Sequence, residues 1–226
     1  MSEPKIYKPS VYNAPTVYNG GGSNVPHVPT DTYTRLLYLR NKGNAWLKID
    51  INCYGLGTDI VFSLNSYTSS NEKKSIVSNR NNSNDVVQFS KEKEFIINNH
   101  SYIEFTNSLN ISTYEIITIQ TRLNNTRTMV GKISWGTNSQ TISKTADGTT
   151  SGHYITILNE SDNPYNETKR IDLYKVNIYN RYNEMLLELV PAKRTSDGIY
   201  GMYDLLNNNF YAFEGQGDLI EGPPVE

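Results

Sequence analysis

The chain of 226 residues has one cysteine, three histidines and no apolar run near the ~20 residues that a membrane-spanning helix needs. Each shortage excludes something. A lone Cys53 forbids an internal disulfide and a cysteine-built metal cluster. It falls in the alternating stretch WLKIDINCY, where a half-buried thiol is expected. His27, His100 and His153 are too far apart to form a ligand pair of the H-x-x-x-H type. Lys and Arg (21) nearly balance Asp and Glu (23), for a net charge of −2. Only Lys73-Lys74 and Lys193-Arg194 cluster, so nucleic acid is not expected as a partner. Neither is a membrane. No charged-then-apolar leader opens the sequence, which predicts a protein made and kept in a cytosol, or one that leaves it without a signal peptide, as a virus particle released by lysis would.

What the chain has instead is a repeat. Residues 9–19 read PSVYNAPTVYN, the pentapeptide P-[ST]-V-Y-N written twice at a spacing of six. Ile6-Tyr7 gives a weaker beat upstream, and Gly20-Gly21-Gly22 follows as a loose joint. Proline fixes φ and lacks an amide donor, so this segment is expected to be extended and not helical. Solubilising tails are poor in aromatic and β-branched residues. Here they recur at regular intervals, as in extended peptides that fill grooves or add to a sheet edge. Residues 1–30 therefore read as a docking arm and linker. Its anchors are Ile6, Tyr7, Pro9, Val11, Tyr12, Pro15, Val17 and Tyr18.

From residue 31 to 226 the pattern is that of one all-β domain. LLYLRNKGNAWLKIDINCYG offers two strands around an Asn41–Asn44 turn, with Leu47, Ile49, Ile51 and Cys53 on one face of the second. Further strands are predicted at 59–67, 85–90, 94–98, 101–105, 114–122 and 128–136. After a polar loop over Thr137–Gly152 come strands at 153–159, 170–180, 184–192, 198–205 and 209–214. They are rich in β-branched and aromatic residues, and the turns between them in Asn, Gly, Ser and Asp. Short strands at this spacing predict an antiparallel sandwich or barrel.

The closing stretch, residues 169–222, carries more than composition. Its marks are the strand Leu173–Tyr179, the run LELVPAKR (187–194), Gly201-Met202-Tyr203-Asp204, the hairpin Asn207–Asn209, Phe210-Tyr211 and the closing Gly215-x-Gly217. With LLYLRNKGNAWLKIDI (36–51), it resembles the concanavalin A-like, laminin-G-type jelly-roll domains of bacteriophage structural proteins and gut-bacterial surface proteins. The fold this implies is an antiparallel two-sheet jelly-roll sandwich preceded by an extended N-terminal arm. IYKPSVYNAPTVYNGGG (6–22) resembles the N-termini of head-fibre and auxiliary capsid proteins of tailed phages.

Chemistry is short of its parts. The E-x-D-x-(x)-E cluster of hydrolases with this fold is absent, and glycoside cleavage needs two flanking carboxyls. Glu92 and Glu94 share a strand face but alternate with Lys91 and Lys93, as at a solvated strand end. No Ser/His/Asp order suggests a triad. Asp59, Asp147 and Asp162, expected at loop tips, could offer calcium hard oxygen donors but read as turn solvation. Trp46, Trp135 and the many tyrosines, Tyr200, Tyr203 and Tyr211 among them, are candidate sugar platforms, although both tryptophans sit at natural core positions. The expectation is a protein with no catalytic residue, cofactor or metal.

Together the resemblance and the arm imply a capsid decoration, head-fibre or auxiliary capsid subunit on the virion exterior. Its partners would be the major capsid protein or other virion proteins, host-surface glycans, and further copies of itself as a homo-oligomer. The rival reading is a carbohydrate-binding adhesin or tail-fibre tip, in which the arm is only a tether.

Overall fold

The structure is a computed structural model that describes residues 27–43, 45–54, 57–64, 74–79, 85–89, 95–98, 102–105, 109, 111–123, 128–145, 151–158, 171–180 and 182–225. The anchors of the arm lie outside the described residues. In chain order the strands are β1 (Tyr33–Arg35), β2 (Leu39–Asn41), β3 (Leu47–Tyr54), β4 (Gly57–Leu64), β5 (Lys74–Asn79) and β6 (Asp85–Phe89). They continue with β7 (Phe95–Asn98), β8 (Tyr102–Phe105), β9 (Ile116–Leu123), β10 (Thr128–Trp135), β11 (Asn138–Thr145) and β12 (Ser151–Ile157). The last are β13 (Ile171–Tyr179), β14 (Met185–Arg194), β15 (Tyr200–Asp204), β16 (Asn209–Ala212) and β17 (Leu219–Glu221).

These strands form two antiparallel sheets. The larger runs β11-β10-β9-β4-β13-β14-β15-β16, with β1 beside β14 and β2 between β13 and β17. The smaller runs β3-β12-β5-β6-β7-β8. Period-two alternation decides which side of each strand is buried. In β4, Ile60, Phe62 and Leu64 point inward, where they join Ile117 and Ile119 of β9 and Leu173, Val176 and Ile178 of β13. The same cluster holds Leu47 and Ile49 of β3 and Ile155 and Ile157 of β12. One core between the two sheets makes the molecule the antiparallel sandwich of the jelly-roll class that the sequence predicts. Each such side chain contributes roughly 1.5–3 kcal/mol through burial.

The opening strands behave differently from a simple pair. β2 and β3 lie in opposite sheets, so the Asn41–Asn44 turn carries the chain across the sandwich. Asn41, fully buried, holds that crossing: its Nδ2 donates to the Ala45 carbonyl at 2.9 Å, and the Gly43 amide donates to its Oδ1 at 3.2 Å.

The loop predicted over Thr137–Gly152 is corrected by β11, which pairs along all of β10 from Trp135↔Asn138 to Thr128↔Thr145. Its sequence, NSQTISKT, shows no apolar alternation because it is an edge strand, mostly exposed, and only Ile142 packs against the core. Hydrogen bonding to β10, not burial, makes it a strand.

The Asn207–Asn209 hairpin forms as predicted, with Asn208 in the left-handed region at φ 57°. Gly201 is required by close packing, since a Cβ there would run into the Tyr211 carbonyl and the Phe210 ring. Pro191 sits inside β14 where its neighbour changes from β13 (up to Leu189) to β1 (from Ala192). A missing N–H is tolerated at such a switch.

A second, smaller core lies on the outer side of the large sheet. Val28, Val190, Ala192, Tyr203 and Leu205 are buried there, with Tyr33 and Phe210 packed against them. Tyr33 stacks on Phe210 at 5.0 Å and tilts against Tyr203 at 5.1 Å. Val28 is only 4% exposed, so the chain is fastened to the domain from that residue onward.

Candidate functional site

The most elaborate side-chain arrangement on the outer face of the large sheet begins where β2, β13 and β4 meet. Cross-strand register sets Arg40 opposite Asp172, and Asp172 opposite Ser63. Arg40 binds Asp172 through two bonds, Nε to Oδ1 at 2.7 Å and Nη2 to Oδ2 at 2.8 Å. Such bidentate pairs are the strong ones. The Asp172 side chain is 2% exposed and that of Arg40 29%. Hydrogen bonding to Asp172 drives the guanidinium pKa further above its already high value.

Tyrosines surround the pair. The Arg40 guanidinium carbon lies 5.6 Å from the Tyr38 ring centre and 5.7 Å from that of Tyr114, within cation–π range of both. Tyr174 tilts against Tyr38 at 5.5 Å. It is placed there by a bulge in β13, where the register shifts between Leu173 and Lys175. On the other flank the Tyr38 ring lies over Gly222, where a Cβ would stand 2.9 Å from the ring. Burial pushes the Tyr174 phenol pKa up, and the neighbouring Ser63 hydroxyl opposes the shift.

Tyr114 is held there against its backbone preference. Its φ is +63°, a region that bulky residues avoid. Yet its side chain is 59% exposed, so core packing does not explain the conformation. Three contacts fix it. The Tyr114 amide donates to the Leu64 carbonyl at 2.8 Å. The Glu115 amide donates to the Ser112 carbonyl at 3.2 Å, and the Ser112 amide returns a bond to the Glu115 carboxylate at 2.9 Å. Gly136, without a Cβ, leaves room for that carboxylate. Strained backbone of this kind persists only where its surroundings over-determine it, and it concentrates at functional sites.

A second polar cluster lies on the same face, further along β4 and β13. Asp59 accepts from Arg122 Nη2 at 2.9 Å, from the Tyr179 hydroxyl at 2.7 Å and from Gln120 Nε2 at 3.3 Å. Asn177 Nδ2 donates to the Tyr179 oxygen at 3.3 Å, while its Oδ1, also buried, has no protein partner. Burial, then the bond to Asp59, raises the Tyr179 pKa. Between the clusters Lys175 Nζ binds Glu188 at 2.6 Å.

These positions differ from those the sequence suggests. Asp59 is a strand residue committed to Arg122, Gln120 and Tyr179, and not a loop-tip calcium donor. Asp147, Asp162, Glu92, Glu94 and His100 lie outside the described residues. No group of three or more His, Cys, Asp or Glu able to hold a metal occurs among the described residues. Trp135 is 7% exposed within the core and offers no face to a ligand. The sequence reading names none of Tyr38, Arg40, Ser63, Tyr114, Asp172 or Tyr174. The available signal was a charged residue inside each of two apolar strands, LYLRN and RIDLYKV.

No family model matches the sequence, and neither does any curated protein. Among solved structures, the chain is similar to a candidate carbohydrate-binding protein from Bacteroides ovatus. The match has a TM-score of 0.57 at 8% identity and covers 85% of this chain and 62% of that one. The likeness is one of fold. This chain thus spans less than two thirds of that neighbour's length. A Scytalido-glutamic peptidase structure covers 79% of this chain and 90% of its own, but a TM-score of 0.25 at 10% identity is too loose to establish a common fold.

Proposed function

We propose that this protein is a non-catalytic, carbohydrate-binding β-sandwich displayed on a virion by its N-terminal arm. The observation that carries the binding half is Tyr114, exposed and held in left-handed backbone beside the Arg40–Asp172 pair and opposite Tyr38. Exposed aromatic faces beside fixed polar groups suit sugars, which present C–H faces and hydroxyls together. The fold it has in common with the Bacteroides ovatus protein points the same way. The site's buried carboxylate, Asp172, is tied to Arg40 by two bonds, so it is poorly disposed to the acid–base work of hydrolysis.

The virion half is supported by the sequence. Two copies of P-[ST]-V-Y-N give linked weak anchors, and linkage raises affinity through effective concentration. In this reading the arm docks on the major capsid protein, the domain stands on the capsid exterior, and host-surface glycans are its second partner.

The test is a glycan array probed with the full chain and with Tyr114→Ala. Binding to a restricted set of glycans that Tyr114→Ala abolishes supports the reading. Uniform absence of binding, or binding indifferent to Tyr114, rejects this face as the site.

A further inference from the structure

We infer that β11 is a docking edge for the β11 of a second copy, so that two chains form an antiparallel two-fold dimer whose large sheets run on into one another. The other margins of the two sheets are short or marked by charge. β1, β8, β16 and β17 have three or four residues each. β3 carries Lys48 and Asp50, paired with each other, and its ladder with β12 is broken by a bulge. β11 has eight residues, no proline and an unbroken register with β10. Among the described residues no strand pairs with its far side, and β8 of the small sheet comes close without forming a ladder. Six of the eight residues are exposed. An edge of this kind is a template for another chain unless something blunts it.

The turn decides which backbone groups face outward. Gly136 and Thr137 alone join β10 to β11, so Trp135 and Asn138 are the hydrogen-bonded pair that closes the hairpin. Bonding alternates from there. Asn138, Gln140, Ile142 and Lys144 direct their N–H and C=O groups to β10, while Ser139, Thr141, Ser143 and Thr145 direct theirs away from it. β10 buries Met129, Gly131, Ile133 and Trp135, so their partners on β11 face the core and the four hydroxyl residues line the outer face.

This edge is complementary to itself, which selects a second copy as its occupant. A two-fold axis at Ile142 sets Ser139 opposite Thr145 of the second copy and Thr141 opposite its Ser143. Every outward donor and acceptor then meets one from the other chain, and each facing pair of side chains is a Ser–Thr pair, a favourable cross-strand combination. On the inner face Ile142, half-buried and packed against the core, meets its own counterpart at a closely spaced, non-hydrogen-bonded position. Lys144, the only charged residue of the strand, faces Gln140 and not another lysine. Contacts related by a two-fold axis close on themselves, so the pairing stops at two chains. It turns both outer faces the same way and does not depend on what they bind.

The experiment is sedimentation equilibrium of the full chain over a concentration series. The expected result is a reversible shift from 25.7 kDa to twice that mass. Thr141→Pro removes an outward N–H and no bond to β10, so it should leave the thermal midpoint in place and raise the dimer Kd at least about tenfold. Thr141→Lys with Ser143→Lys, at two exposed sites, should be monomeric alone. Mixed with the Thr141→Glu, Ser143→Glu double variant it should form a heterodimer, since each new charge then faces its opposite. A wild-type chain that stays monomeric at every concentration overturns the inference. So does a dimer whose Kd is unchanged in Thr141→Pro, or the absence of the heterodimer. A dimer that is lost on removing residues 1–22 but kept in the double lysine variant would make the arm the occupant, and overturns it as well.

Discussion

The Arg122 guanidinium carbon lies 3.8 Å from the centre of the Tyr179 ring, and both side chains end on the Asp59 carboxylate. The stacking is maintained because Arg122 Nη1, 2.9 Å from Asp59 Oδ1, also donates to the Thr58 and Thr121 carbonyls at 3.1 and 2.7 Å. Asp59→Ala would remove the acceptor at the centre of this network and leave a partly buried cation without its carboxylate. We expect a loss of about 2–3 kcal/mol in urea unfolding. A loss under about 0.5 kcal/mol would mean that water replaces the carboxylate.

Alkaline pH should weaken the protein. The phenols of Tyr174, Tyr179, Tyr203 and Tyr211 all have pKa values raised from 10.0, each chiefly by burial. A raised folded value means that the unfolded chain loses these protons first. Stability is therefore fully present below about pH 10 and is lost as pH rises toward the folded values. Unfolding midpoints measured from pH 8 to 11.5 should be flat and then fall. Tyr174→Phe and Tyr179→Phe should each make the fall shallower, and an unchanged slope in both would show that neither phenol is held protonated.

Relieving Tyr114 should separate stability from binding. Glycine adopts positive φ without the steric cost that tyrosine bears, and the Tyr114 side chain contributes little burial. Tyr114→Gly is expected to raise stability by about 1 kcal/mol while abolishing glycan binding. A destabilised Tyr114→Gly would contradict the view that the backbone there is strained.

Two truncations should behave in opposite ways. Removing residues 1–22 leaves Val28 and Tyr33 in place, so the thermal midpoint should not change, while incorporation into the particle is lost. Removing residues 1–33 takes both side chains from the second core and should destabilise the domain by about 3 kcal/mol or more. Wild-type incorporation of the shorter deletion would reduce the arm to a passive tail.

The all-β class was legible because most strands either alternate or carry β-branched and aromatic residues between Asn- and Gly-rich turns. The Asn207–Asn209 hairpin was legible for a similar reason: asparagine tolerates the left-handed backbone found at Asn208. β11 was not, since an edge strand held by one neighbour has no need of an apolar face. The Arg40–Asp172 pair was hidden by distance, as its members are 132 positions apart and meet only through the register of β2 and β13. Tyr114 was hidden because its conformation comes from neighbours that hold it, and not from a glycine or asparagine at the position itself.

β1 and the residues after it lie between β14 and the end of the chain. Leu36 donates to Pro191 on one side, while Leu37 donates to Pro223 and Val225 to Arg35 on the other. A tether attached ahead of Val28 would therefore deliver its load into the interior of a sheet, not to a free margin. Pulled along the strand, the bonds on both sides share the force at once and must slide together, whereas a marginal strand would unzip one bond at a time. The C-terminal residues act as the second jaw of the grip. The resistance of β1 to such a pull thus depends on Pro223 and Val225 as much as on β14.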